Sequence, residues 1–128
     1  MKFNLKSLAL ATVAVATMST AAIAHPKLVT ATPAANATVS GTTTVKLTFS
    51  ERVIPKLSSA TLIMTGMPSM KNHPDTKMTG ATSTVAPDGK SLVVTSATAL
   101  PAGSYRVDWV IVGADTHRIT GAHSFSVR

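Results

Sequence analysis

The 128-residue sequence contains no cysteine. No disulfide can staple it, so any domain it forms must rest on its packed core. Thiolate metal sites are excluded as well, which leaves thioether sulfur as the only soft ligand available. Aromatic residues are few, with one Trp, one Tyr and three Phe. Acidic residues are also scarce, at five Asp and Glu against twelve Lys and Arg. The basic residues are scattered and lack aromatic interleaving, which argues against a nucleic-acid partner. Beyond the N-terminal region, no run is long and apolar enough to cross a bilayer.

Residues 1–24 are compositionally distinct. Lys2 and Lys6 precede the apolar run "SLALATVAVATM", Ser7 to Met18, and Ala22-x-Ala24 supplies two small residues after it. That order predicts a secretory signal peptide. A membrane anchor is the rival reading, but the run is shorter than the ~18–20 apolar residues that span a bilayer. Thr20-x-Ala22 also fits the cleavage pattern. Cleavage after Ala24 would leave a single soluble domain, residues 25–128, in the periplasm. Loss of Lys2 and Lys6 would take the formal charge from +7 to +5.

The remaining sequence reads as all-β. "TVKLTF", Thr44 to Phe49, puts Val45, Leu47 and Phe49 on one face. "ATLIM", Ala60 to Met64, does the same with Ala60, Leu62 and Met64. "SLVVTS", Ser91 to Ser96, follows the turn Pro87-Asp88-Gly89-Lys90. "SYRVDWVIV", Ser104 to Val112, alternates Tyr105, Val107, Trp109 and Ile111, and "HSFSVR" at the C-terminus points Phe125 and Val127 inward. Such alternation marks half-buried antiparallel strands. Breaks at Thr32-Pro33 and Pro101-Ala102-Gly103 supply turn residues. The pattern predicts a β-sandwich or small barrel of about seven strands.

Cleavage after Ala24 would make His25 the first residue. In general a free α-amine (ordinary pKa ~7.7–8.0) and an imidazole (~6.5) both lose protons near neutrality. Together they close a six-membered chelate, and nitrogen donors in a tetragonal set favour Cu(II). Pro26 has no amide proton for copper to displace. The chelate would stop at two nitrogens and leave equatorial positions for ligands from elsewhere; alternatively, Pro26 only stiffens the terminus. Asp115-x-His117 offers a carboxylate and an imidazole two residues apart, on one side of an extended segment. A plain surface Asp–His pair is the bland alternative.

All methionines after residue 25 lie in "MTGMPSMKNHPDTKM": Met64, Met67, Met70 and Met78, with His73 among them. Thioethers suit Cu(I). Methionine also fills cores, and Met64 continues the buried face of Leu62. Pro68, Pro74 and Gly66 predict a loop here. His123 shares the parity of Phe125 and Val127, which predicts a satisfied buried histidine or a partner that orients a ligand.

"HPKLVTATPA", "LTFSE", "MTGMPSM", "AGSYRVDW" and "ADTHRITGAHSFSV" occur in this order, and together they resemble the CopC family of periplasmic copper-binding, copper-resistance proteins. The resemblance implies a Greek-key β-sandwich or barrel of cupredoxin or immunoglobulin-like type. It implies Cu(II) on His25, Asp115 and His117, with Glu51 as a further weak ligand. It implies Cu(I) in the methionine loop, on Met64, Met67 and Met70, with His73 and Met78 as less regular members because their spacing departs from the family's. The expected protein is a monomeric copper carrier or buffer, not an enzyme, with a CopD-type inner-membrane importer as partner. Two rivals stand beside it: a copper monooxygenase built on an N-terminal histidine, and an immunoglobulin-like binding module with no metal role.

Overall fold

A computed structural model describes residues 14–17 and 25–128. The predicted signal peptide, residues 1–24, lies outside the described residues except for 14–17. Among the described residues no helix is long and apolar enough to cross a membrane.

The chain forms β1 (Leu28–Thr32), β2 (Thr38–Val39), β3 (Thr44–Phe49), β4 (Ser59–Gly66), β5 (Thr76–Lys77), β6 (Ala81–Val85), β7 (Ser91–Ser96), β8 (Gly103–Val112) and β9 (Arg118–Val127). A single 3-10 turn, Pro55–Leu57, lies between β3 and β4. The strands make two sheets, ordered β1-β3-β7-β6 and β2-β9-β8-β4-β5, and the chain crosses between them. The fold is the all-β sandwich that the alternating sequence predicts, of the Greek-key class that the resemblance implies. Seven strands have five residues or more, and β2 and β5 add two residues each.

Alternation explains the core. Val45, Leu47 and Phe49 of β3 meet Leu62 and Met64 of β4, Leu92 and Val94 of β7, Tyr105, Val107 and Ile111 of β8, and Phe125 and Val127 of β9. Within each set the residues are two or four apart, so one face of each strand is apolar. β1 and β6 lack this signature because they are edge strands rich in Thr, Ser and Ala that bury little. β9 begins at Arg118, well before the "HSFSVR" stretch that marks it in the sequence. Gly121 interrupts its pattern because the Trp109 ring occupies the space a side chain would need.

Without disulfides, polar side chains secure the connections. Asp88 accepts from the Lys90 and Ser91 amides at 2.8 and 3.0 Å, and from the Ser91 hydroxyl at 2.8 Å. These bonds, the Lys90 amide foremost, hold the Asp88 carboxyl below the usual carboxylate range. The buried Tyr105 hydroxyl donates to the Pro101 carbonyl at 2.6 Å and ties the β7–β8 connection to the core. Burial pushes the Tyr105 phenol up.

Tyr105→Phe is expected to lower unfolding free energy by ~1 kcal/mol, since it removes one part-buried hydrogen bond. Chemical denaturation of the two proteins checks this; an unchanged midpoint would show that the bond contributes nothing net.

Candidate metal centre

The ladder between β8 and β9 runs without a register shift from Gly103↔Val127 to Val112↔Arg118. It ends in the turn 113–117, which carries Asp115 and His117. Thr116 has φ +66°, and its amide donates to the Gly113 carbonyl at 2.9 Å. The His117 amide donates to Asp115 Oδ1 at 3.2 Å. This tight local turn occupies Oδ1 and leaves Oδ2 of the same carboxylate for other partners.

The start of the described domain arrives at that oxygen. His25 Nδ1 lies 2.6 Å and His117 Nδ1 3.2 Å from Asp115 Oδ2. The imidazole centroids are 5.0 Å apart and tilted by 49°. One donor atom from each of the three residues falls within 4.8 Å of the others. The Asp115 side chain is only 13% exposed, whereas His25 and His117 are 58% and 69% exposed. The carboxylate is therefore held by the protein while both rings remain open to an arriving ion. Burial pushes the Asp115 carboxyl up, but the His117 amide and the two imidazoles outweigh it, and the net shift is downward.

This donor set fits a divalent ion that prefers nitrogen with some carboxylate oxygen. His25 and Asp115 are 90 residues apart in sequence, and only the fold makes them neighbours. Glu51, by contrast, is exposed and lies outside the three-residue group.

The family profile for the CopC domain matches residues 28–128. The chain belongs to the CopC family. It is 44% identical over 128 residues to the copper resistance protein C of Xanthomonas campestris pv. juglandis, covering 98% of this chain and 99% of the relative. It is 43% identical over 109 residues to the copper resistance protein C of Escherichia coli, covering 84% of each. The crystal structure of PcoC, a methionine-rich copper resistance protein from Escherichia coli, superposes with a TM-score of 0.75 at 42% identity, covering 82% of this chain and all of that one. The CopC family is not one of enzymes, which sets aside the monooxygenase reading.

The methionines divide into two groups. Met64 is 7% exposed and belongs to the hydrophobic core, and Met78 packs against that core. β4 extends to Gly66, and its alternation turns Met64 inward beside Leu62, the face on which the sequence pattern puts it. Met67 and Met70 are 37% and 51% exposed and pair across a turn, with the Met70 amide donating to the Met67 carbonyl at 3.2 Å. His73 Nδ1 is buried without a hydrogen-bond partner among the described residues. Arg106 pins this loop to β8, donating to Asp108 at 2.7 and 3.2 Å and to Asp75 at 3.0 Å.

The two groups of donors sit at opposite ends of one sheet. β4 and β8 are antiparallel, so Gly66, just before Met67, lies opposite Ser104, whereas the Asp115 turn follows Val112. From Ser104 to Val112 the strand covers about 26 Å at the usual rise per residue. His123 joins neither group. It is 5% exposed and its Nε2 lies 2.8 Å from the Pro33 carbonyl, the satisfied buried position that its parity predicts.

In the metal-free protein, Asp115 is expected to titrate below the ordinary ~3.9 of a free aspartate. His25→Ala should move its midpoint upward, because one of the two imidazoles that favour the carboxylate is gone. Carboxyl chemical shifts followed by NMR read this directly, and an unmoved midpoint would separate His25 from Asp115 in solution.

Proposed function

We propose that the chain is a periplasmic copper-binding protein that buffers or carries copper, with separate sites for its two oxidation states. The convergence of His25, Asp115 and His117 donor atoms within 4.8 Å is the observation that carries this reading. Cu(II) is held there by the amine and ring of a terminal His25, the Asp115 carboxylate and the His117 ring. The amine becomes a ligand only after cleavage before His25, because in the longer chain that nitrogen is an amide. Glu51, exposed and outside the group, is not assigned.

Cu(I) is held by Met67 and Met70, the two exposed thioethers, with His73 as the nearby nitrogen whose Nδ1 has no other partner. Met64 and Met78 serve the core instead. Reduction weakens a nitrogen–oxygen site and strengthens a thioether one, so the redox state decides which end of the sheet is loaded. The relatives' names as copper resistance proteins support the copper assignment. The resemblance adds a CopD-type inner-membrane importer as recipient, and transfer from an exposed site needs no unfolding.

Three measurements test the two-site reading. One added residue before His25 separates amine from ring and should abolish tight Cu(II) binding without altering the fold; tight binding by that extended form would rule out the terminal chelate. His117→Ala, which removes a direct ligand, should weaken Cu(II) by more than the roughly 10- to 100-fold that loss of a ligand's outer partner costs and spare Cu(I), while Met67→Leu should do the reverse. Equal losses at both oxidation states would mean a single shared site. Isothermal titration of the wild type decides against a metal-free binding module: affinity no better than that of a free His-Pro peptide would support that module.

A further inference from the structure

A chain terminus is usually the least ordered part of a domain. A ligand on a free end must be ordered when the ion arrives, and that cost is subtracted from affinity. The residues just after His25 remove much of this freedom beforehand. Pro26 is buried, and its ring lies on Gly113: a Cβ at Gly113 would fall 2.9 Å from Pro26 Cγ and 3.0 Å from Cδ. The Lys27 amide donates to the Ser50 hydroxyl at 2.9 Å, and the Ser50 amide donates to the Lys27 carbonyl at 2.8 Å. Regular pairing of β1 with β3 starts only at Leu28↔Phe49.

The Ser50 amide and hydroxyl together carry the β1–β3 pairing one residue past the strands, toward the terminus, and the hydroxyl takes the Lys27 amide. It does so where the backbone supplies no further acceptor to Lys27. Pro26 adds a steric limit on the residue before it, which is His25 itself.

We infer that Ser50 is a positioning residue for Cu(II): its hydroxyl, with the Pro26–Gly113 contact, sets the direction in which His25 leaves the sheet, so that its donors meet Asp115 and His117. Ser50 itself touches no metal. The inference rests on the Cu(II) reading above and supplies the reason a terminal residue acts there as a preorganised ligand. It also gives Pro26 a second task, that of a wedge against the β8–β9 turn. The neighbouring Glu51 needs no part in the coordination.

The test uses the exported protein, shown by intact mass to begin at His25, as wild type, Ser50→Ala, Ser50→Thr and Tyr105→Phe. Cu(II) affinity is read by chelator competition, the coordination by electron paramagnetic resonance, and the metal-free terminus by hydrogen exchange at the Lys27 amide. Ser50→Ala is expected to weaken Cu(II) roughly tenfold, as for other groups that orient a ligand without binding the ion. Its resonance spectrum should split into more than one Cu(II) species, and the Lys27 amide should exchange faster with no copper present. Cu(I) affinity should not move, and Ser50→Thr, which keeps the hydroxyl, should restore all three readouts. Tyr105→Phe, far from the site, should lose stability and keep wild-type Cu(II) affinity.

A tight-binding wild type together with a Ser50→Ala protein of unchanged affinity and spectrum would overturn the positioning role and leave the Cu(II) site standing. An equal loss in Tyr105→Phe would overturn it too, by tracing the effect to stability. A wild type that binds no better than a free His-Pro peptide would defeat the Cu(II) reading, and this inference with it.

Discussion

The β8–β9 ladder, paired without a slip from Gly103↔Val127 to Val112↔Arg118, is the constraint on which the other features depend. A strand pair without a bulge transmits register rigidly, since a slip of one residue would turn every core side chain outward. Tyr105, Val107 and Ile111 on one strand and Phe125 and Val127 on the other are all buried, so that slip is strongly opposed. The closing turn is therefore held in a fixed place, and with it the Asp115 carboxylate. β8 also pairs with β4, so the same strand positions the methionine turn at its other end. One rigid element sets both candidate sites and the distance between them.

A domain without cysteine has to secure its connections by other means. Here polar side chains do so locally: the exposed Asp88 closes the β6–β7 turn, the buried Tyr105 anchors the β7–β8 connection, and the buried Ser58 hydroxyl receives the Val112 amide at 3.1 Å. His123 meets the Pro33 carbonyl in the same spirit, linking β9 to the chain after β1. Buried polar groups that are paired in this way specify one arrangement, whereas unpaired ones would cost stability. Two buried nitrogens stand apart among the described residues, Trp109 Nε1 and His73 Nδ1. Only His73 belongs to the segment that carries the exposed thioethers.

Separation of the donor sets follows from chemistry as well as from topology. Imidazole and carboxylate gather at one end, thioethers at the other, and each set suits a different oxidation state of one metal. Placing them on opposite ends of a strand prevents one ion from drawing on both. The core keeps Met64 and Met78 out of the exposed set, because a flexible apolar side chain is more useful beside Leu62 than in water.

The central strands were legible in the sequence because burial on one face forces an alternation of period two, as in Val45-Leu47-Phe49 and Tyr105-Val107-Trp109-Ile111. β1 and β6 were not, since an edge strand buries too little for its pattern to rise above the Thr, Ser and Ala background. The donor residues proposed for copper were equally visible: His25 before Pro26, Asp115-x-His117, and methionines gathered in one segment. Their local chemistry determined which metal states they suit. Only the tertiary structure decided which of them meet. It brought His25 to Asp115 across most of the chain, left Glu51 aside, and kept Met67 and Met70 exposed. Ligand chemistry is a property of single side chains and near neighbours, and so is written locally. Convergence depends on long-range pairing and packing, and no short stretch of sequence contains those.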